Sequence, residues 1–318
     1  MKNVFSILFP IMICISALGQ DIHFSQYYAA PLELNPANTG LIRGAFRIGV
    51  NSKNQWSSVT KPYQTIAAYF DMPVIKRKYR KDALGAGLLV NADIAGDSKF
   101  STINAGLSIS YIKSISYLNN NFLSIGIMPM FVQRSIDFSE LNFDNQFNGN
   151  YFDPNINPNE PTGKKSFIYF DMSAGIHWHY IPNDKTAYSA GFSVAHPTRP
   201  KMTFLNNNEI RLDIKYITYG DAQVTIAPDI DLLPSLMLVS QGPFFELVSG
   251  VMLKYSRGEY YIERKSLNFG LYARYADAII VVAGFELKNI NFGVSYDLNL
   301  SKLRVASKVR GGLEFSIS

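Results

Sequence analysis

One cysteine, Cys14, serves all 318 residues, and it lies in the apolar run at the start of the chain. An intramolecular disulfide is therefore excluded, and the stability of the fold must come from elsewhere. Histidine is almost as scarce, with four residues, which leaves little material for general-base chemistry. Charged residues make up 17% of the chain, where a soluble domain carries about 25%. The net charge of +5 is spread along the chain and forms no long basic tract, so nothing in it points to a nucleic-acid partner. After the first twenty residues no apolar run comes near the 18 or so residues of a spanning helix. The longest, 278–285, is the size of a strand.

The apolar start reads as a secretory signal peptide. Lys2 supplies the basic end, residues 4–18 the apolar stretch, and Ala17-Leu18-Gly19 the small residues of a cut after Gly19. Lipid anchoring at Cys14 is the competing reading, and the bulky Ile13 before it argues against that. The expected organisation is signal peptide 1–19, lead-in 20–41 and β domain 42–318. An exported, thiol-free chain without spanning helices is either a soluble β protein or an outer-membrane barrel.

What the chain does have is alternation. Over 101–112, Ile103, Ala105, Leu107, Ile109 and Tyr111 point one way, and Thr102, Asn104, Gly106, Ser108 and Ser110 the other. Period two is the strand signature, and one apolar face per strand makes a sheet that is greasy on one side. Similar segments recur near 64–72, 84–93, 122–134, 166–179, 186–196, 212–226, 232–240, 244–256, 266–275, 278–287, 290–299 and 310–317. With a first strand from Ile42, these make about fourteen. Pro129 and Pro234 fall inside two of them, where a missing ladder donor predicts a bulge or a strand end.

Magnitudes separate barrel from sandwich. Strands of roughly ten residues at about 3.4 Å rise, tilted near 40°, span roughly 26 Å, the height of an outer-membrane apolar band. Sandwich strands run nearer 5–6 residues. The polar faces carry Gly, Ser, Asn and Thr rather than Lys and Glu, which suits a crowded lumen. If the first strand runs outward, the long links 135–165 and 197–211 fall outside. The tight links 180–185, 227–231 and 288–289 then fall on the periplasmic side, as in outer-membrane barrels. The long link 73–83 on the inner side is an exception. The fold class is an all-β transmembrane antiparallel barrel.

Candidate sites are few. His177 and His179 lie on one side of a strand, where an i, i+2 pair can bind a metal, but a polar aromatic belt near the membrane interface is the favoured reading and no metal is expected. A Ser–His pair with Ser189 or Ser193 on the next strand is the only nucleophile arrangement in view, and Gly-Ser-Asn texture produces such pairs by chance. The loop 135–165 holds Asp137, Glu140, Asp144, Asp153 and Glu160 but lacks calcium-loop spacing. The sharpest charge cluster is Lys76, Arg77, Lys78, Arg80 and Lys81, either a periplasmic docking patch or a solvated turn. No cofactor is expected, and no catalysis.

The lead-in carries a resemblance. Phe24-Ser25-Gln26-Tyr27, Pro31, Asn35-Pro36-Ala37, Gly40 and the Asn54-Gln55-Trp56 tripeptide resemble the opening of the PorP/SprF family of the Bacteroidetes. Gly85-Ala86-Gly87-Leu88, Leu233-Pro234-Ser235 and the segment from Phe292 to Asp297 resemble later parts of that family. The resemblance implies a fourteen-stranded, non-catalytic outer-membrane barrel tied to type IX secretion and gliding motility. Its implied partners are periplasmic parts of that machinery and a secreted or surface-anchored cargo protein of adhesin type, within outer-membrane lipid. It makes Asn35, Pro36 and Trp56 further partner-binding candidates, and the lead-in a plug at the barrel mouth, with Tyr27, Tyr28 and Asn35 satisfying polar lumen groups. The chain lacks the terminal aromatic common in barrels, since it ends Phe315-Ser316-Ile317-Ser318. The alternative is an outer-membrane channel for hydrophobic or small solutes.

Overall fold

The computed structural model describes residues 21–55, 62–76, 82–96, 98–159, 163–204, 210–257, 265–301 and 310–318. Fourteen antiparallel strands close into one barrel, each bonded to its neighbours in sequence and the last to the first. They are β1 Arg47–Gln55, β2 Tyr63–Lys76, β3 Ala83–Ala95, β4 Phe100–Ser114, β5 Asn121–Ser135, β6 Ser166–Asn183 and β7 Thr186–Ala195. The circuit continues with β8 Lys215–Ala227, β9 Ile230–Gln241, β10 Phe244–Arg257, β11 Lys265–Arg274, β12 Ala278–Leu287, β13 Ile290–Asn299 and β14 Arg310–Ile317. Closure leaves no free sheet edge, the condition for backbone in hydrocarbon.

Alternation sorts the faces as the sequence predicts. On β4, Leu107 and Ile109 stand outside at 60% and 55% exposure, whereas Ser108 and Ser110 are buried inside. Leu123, Ile125, Ile127 and Phe131 continue the outer surface on β5. Trp178 also faces outward, near one end, with its indole N–H donating to Asn121 Oδ1 at 2.8 Å and its ring stacked on Tyr180. Aromatic rings at this level make an interfacial girdle.

The two ends differ. One holds the start of β1, the end of β14 and the tight links 184–185, 228–229 and 288–289; the other holds the long links 136–165 and 196–214. Short turns mark the periplasmic end of such barrels. At that end β2 runs on to Lys76, with a register shift between Pro73 and Ile75, so the link after it is shorter than expected.

Two expectations need correction. The first strand begins at Arg47, not Ile42, because residues 42–45 are bends that carry the chain from lumen to wall. Pro129 and Pro234 neither end a strand nor create a bulge. The β4–β5 ladder passes from Gly106↔Met130 to Ile109↔Ile127 in one register across Pro129. The β8–β9 ladder does the same across Pro234, from Asp221↔Ser235 to Val224↔Leu232. On its other side each proline keeps a paired neighbour, Met172 and Val251. A lost donor on one side costs a local pair without inserting a residue.

The core of this barrel is its lumen. Residues 21–40 enter it as a non-strand strap with a 3-10 turn at Tyr27–Ala29, a short helix α1 at Pro31–Leu34 and a second 3-10 turn at Pro36–Asn38. Pro31 and Pro36 stand at first-turn positions, where a missing N–H costs nothing. Tyr27 and Leu34 pack on Ile217, Met237, Val248 and Ile280 along one wall, and Leu32 packs on Tyr69, Leu89 and Met128 along the other. The lumen is thus partly apolar, which its Gly, Ser and Asn content alone conceals.

Candidate functional site: the threaded lumen

The strap runs the length of the lumen, from Asp21 among the long loops to Gly40 near the short turns, and three sets of contacts hold it. At the long-loop end His196, just after β7, lies between Asp171 of β6 and Asp21 of the strap, one ring nitrogen on each. Burial alone would lower the pKa of His196. The Asp21 charge and the hydrogen bonds to both carboxylates outweigh it and raise the pKa to about 9. The doubly protonated ring then donates to both acids. Asp21 is buried, which works against ionisation, but the His196 charge prevails and holds its carboxyl well below the usual range. Two lysines from the wall fix the adjacent backbone: Lys215 Nζ donates to the Ile22 carbonyl at 3.3 Å and Lys53 Nζ to that of His23 at 3.2 Å.

The second set lies where the barrel closes. Glu314 of β14 is fully buried. It accepts the Ser25 backbone N–H on one oxygen at 2.7 Å and the Gln26 N–H on the other at 3.0 Å. Ser25 Oγ donates to Asp297 Oδ2 at 2.8 Å, and Arg274 reaches both that oxygen and Ser25 Oγ. The Gln26 side chain donates to Ser295 Oγ and accepts from Ser316 Oγ. Charge-assisted bonds of this kind are about twice as strong as neutral ones. Ser25 and Gln26 thereby tie the strap to β11, β13 and β14.

The third set surrounds Asn35 and Pro36. Asn35 Oδ1 accepts from Ala37 N at 2.9 Å and starts the turn, while its Nδ2 donates to the carbonyl of Ile176 at 2.8 Å. Ser193 Oγ donates to Leu34 O at 2.7 Å, Ser124 Oγ to Ala37 O at 2.7 Å and Ser110 Oγ to Thr39 O at 2.5 Å. Backbone of the strap presses on the wall here. A Cβ on Gly126 would lie 2.5 Å from the Pro36 carbonyl carbon, and one on Gly175 would collide with the Asn35 amide. Gly40, at φ +70°, donates its N–H to Asp71 Oδ2 at 2.7 Å. Arg47 grips the same carboxylate in two bonds of 2.8 and 2.9 Å and reaches back to Asn38 O. From that point the chain becomes wall.

The expected site residues divide accordingly. Asn35 and Pro36 are buried against this chain's own wall. Tyr27 packs among apolar side chains and Tyr28 stacks on Tyr272, so of the three residues expected to serve polar lumen groups only Asn35 does so extensively. The strap fills the lumen rather than only its mouth. Lys76 ends β2 at the short-turn end, while Trp56, Arg77, Lys78, Arg80 and Lys81 lie outside the described residues, as do residues 1–20. His177 and His179 do face the lumen, each with Nδ1 on a different hydroxyl: Tyr219 at 2.9 Å and Ser189 at 2.9 Å. Ser193 is engaged with the strap. Among the described residues no three His, Cys, Asp or Glu side chains gather as a metal site.

Sequence reasoning missed Glu314, Asp71, His196 with Asp171, and the lumen glycines. The available signal was parity: Asp71, Asp171 and Glu314 are acids on inward positions of spanning strands, where an ionisable residue marks function.

Among the described residues two large spaces lie beside the strap. A chamber of about 470 Å³ lies toward the long loops. A wider vestibule of about 1100 Å³ opens at the short-turn end, with Arg43, Lys185 and Lys288 at its rim.

Residues 16–318 match the family described as "Type IX secretion system membrane protein PorP/SprF". A search of curated proteins returns no match. Among solved structures the chain is similar to the CymD monoaromatic hydrocarbon channel, with TM-score 0.52, 11% identity and 91% of each chain covered. It is similar to the Ralstonia pickettii toluene transporter TbuX, with TM-score 0.52, 9% identity and coverage of 91% and 92%. A Pseudomonas aeruginosa FadL homologue gives TM-score 0.50, 10% identity and coverage of 89% and 91%. At these identities the likeness is one of fold.

Proposed function

This chain belongs to the PorP/SprF family of type IX secretion system membrane proteins, and from that premise we propose that it works as a strap-filled outer-membrane barrel whose mouths bind protein partners. The family and the barrel are those of a transport or binding protein, not of an enzyme. The carrying observation is the strap itself, hydrogen-bonded to the wall from Asp21 to Gly40, with a large open space at each end of the lumen. The periplasmic rim carries Arg43, Lys185 and Lys288, with Asp184 beside them. The link that follows Lys76, with Arg77, Lys78, Arg80 and Lys81, joins strands at the same end. Together they suit an acidic surface on a periplasmic machine component, and Trp56 remains the candidate contact for a cargo protein such as an adhesin. Affinity purification from native outer membranes tests this. Charge reversal at Arg43, Lys185 and Lys288 is expected to release the machinery component while the barrel remains inserted. Retention at wild-type levels refutes the docking assignment.

A second reading is passage of hydrophobic or small solutes. The likeness to hydrocarbon channels and the apolar outer chamber favour it, and the solved-structure comparisons support it more directly than they support cargo binding. It requires the strap to move. High conductance in planar bilayers without any protein partner would establish it over the first reading.

A further inference from the structure

The outer chamber has the chemistry of a specific binding site. Strand register arranges its wall in rows. Asp93, Thr102 and Arg134 lie side by side across β3, β4 and β5, and Asn91, Asn104, Val132 and Tyr169 lie in the next row inward. Below them Met130 and Met128 form an adaptable apolar floor. Phe100 and Phe204, edge to face at 6.1 Å, stand at the rim. Met202, Ile210 and Leu212 also line the chamber, with Met202 N on Ile210 O at 2.9 Å and Leu212 N on Pro200 O at 3.0 Å. The cavity, of about 470 Å³, combines this apolar floor with an equally large set of charged and polar side chains, and a concave space with convergent polar groups is the usual form of a small-ligand site.

The polar groups identify the ligand's head. The five acids around the chamber are already engaged: Asp21 and Asp171 by His196, Glu33 by Asn91 Nδ2 at 2.5 Å, Asp93 by Thr65 Oγ1 at 2.5 Å and Asp213 by Arg199 at 3.6 Å. Lys215 is used on the Ile22 carbonyl. Arg134 is different. Its guanidinium lies 5.7 Å over the Phe100 ring and bonds the Tyr169 hydroxyl, while its buried Nε has no hydrogen-bond partner among the described residues. A buried, unmet donor is costly, and a guanidinium fork matches a carboxylate. The Asn104 carbonyl is equally unmet and lines the same space.

We propose that the outer chamber binds a small amphipathic carboxylate, its acid head on Arg134 and its apolar body on Met128, Met130, Val132 and Tyr169. The proposal extends the solute reading by naming a ligand class, yet binding needs no passage, so the two can fail separately. The full chain in lipid nanodiscs, with radiolabelled decanoate and empty nanodiscs subtracted, gives the test. One saturable site is expected, displaced by unlabelled decanoate but not by decanol or decyltrimethylammonium. Arg134→Gln should weaken it at least tenfold, and Arg134→Lys should restore part of the loss. Val132→Trp, which fills the cavity and keeps the charge, should abolish it. Absence of a saturable site, displacement by decanol at equal concentration, or undiminished binding to R134Q overturns the assignment. If R134Q fails to fold, the competitor series and V132W decide it. Binding without solute flux would leave this site in place and refute only passage.

Discussion

Replacing Glu314 with alanine tests whether the strap is held by the closing strand. The two carboxylate oxygens take the backbone N–H groups of Ser25 and Gln26, and the side chain is fully buried. Removal strands two buried donors at about 1–3 kcal/mol each, so undocking should become easier by about 4 kcal/mol. At 1.4 kcal/mol per factor of ten, the undocked fraction should rise by about 10² to 10³. A cysteine at Ala30, 2% exposed in the docked strap, reports this directly. Its reaction with a water-soluble maleimide should accelerate by that factor in Glu314→Ala, while thermal melting of the barrel shifts far less. Glu314→Gln keeps one acceptor and should fall between. Unchanged labelling with a large drop in barrel stability would show that Glu314 supports the wall and not the strap.

Ile109→Arg should cost about 2–4 kcal/mol of insertion stability, measured by urea titration in lipid, because Ile109 faces hydrocarbon. Ser108→Arg, which face assignment alone would make mild, should instead expel the strap, since Ser108 Oγ sits 2.6 Å from Thr39 Oγ1; the Ala30→Cys label checks it. Anchoring at the long-loop end should depend on pH. The His196 pKa is raised from 6.5 to about 9, so its contribution is full below about 6.5 and lost as pH rises through 9. The lowered Asp21 contributes above its ordinary 3.8 and loses that contribution on strong acidification. Strap protection should therefore fall on the alkaline side, and His196→Gln should flatten that limb. Gly126→Ala, which drives a methyl into Pro36, should raise Ala30→Cys labelling, while Gly44→Ala, with its nearest neighbour at 3.5 Å, should not.

The barrel was legible because lipid imposes a single rule on every outward position. Leu107 and Ile109 obey it, and so do Ile125 and Ile127, whatever lies behind them. Strand ends were less legible: β1 starts late because Gly40 and Arg47 are both tied to Asp71, a contact that no local pattern announces. Pro129 misled for a related reason, since a missing donor need not shift register when the other ladder holds. The strap contacts were hidden by distance. Ser25 and Glu314 are separated by 289 positions, and Asn35 works through the carbonyl of Ile176, which has no sequence identity to read. Resemblance pointed to residues 24–40 without saying what they touch. Gly126 and Gly175 read as small lumen texture until the strap supplied the backbone that needs their space.

The lock between Ser25, Gln26 and Glu314 joins the strap to the closing strand. Glu314 belongs to the strand that pairs with β1, so the acceptor for the strap and the seam of the barrel arrive together. Seating of the strap and closure of the wall are therefore coupled through one side chain. A change that loosens the seam should loosen the strap with it, and the strap in turn braces the seam from inside.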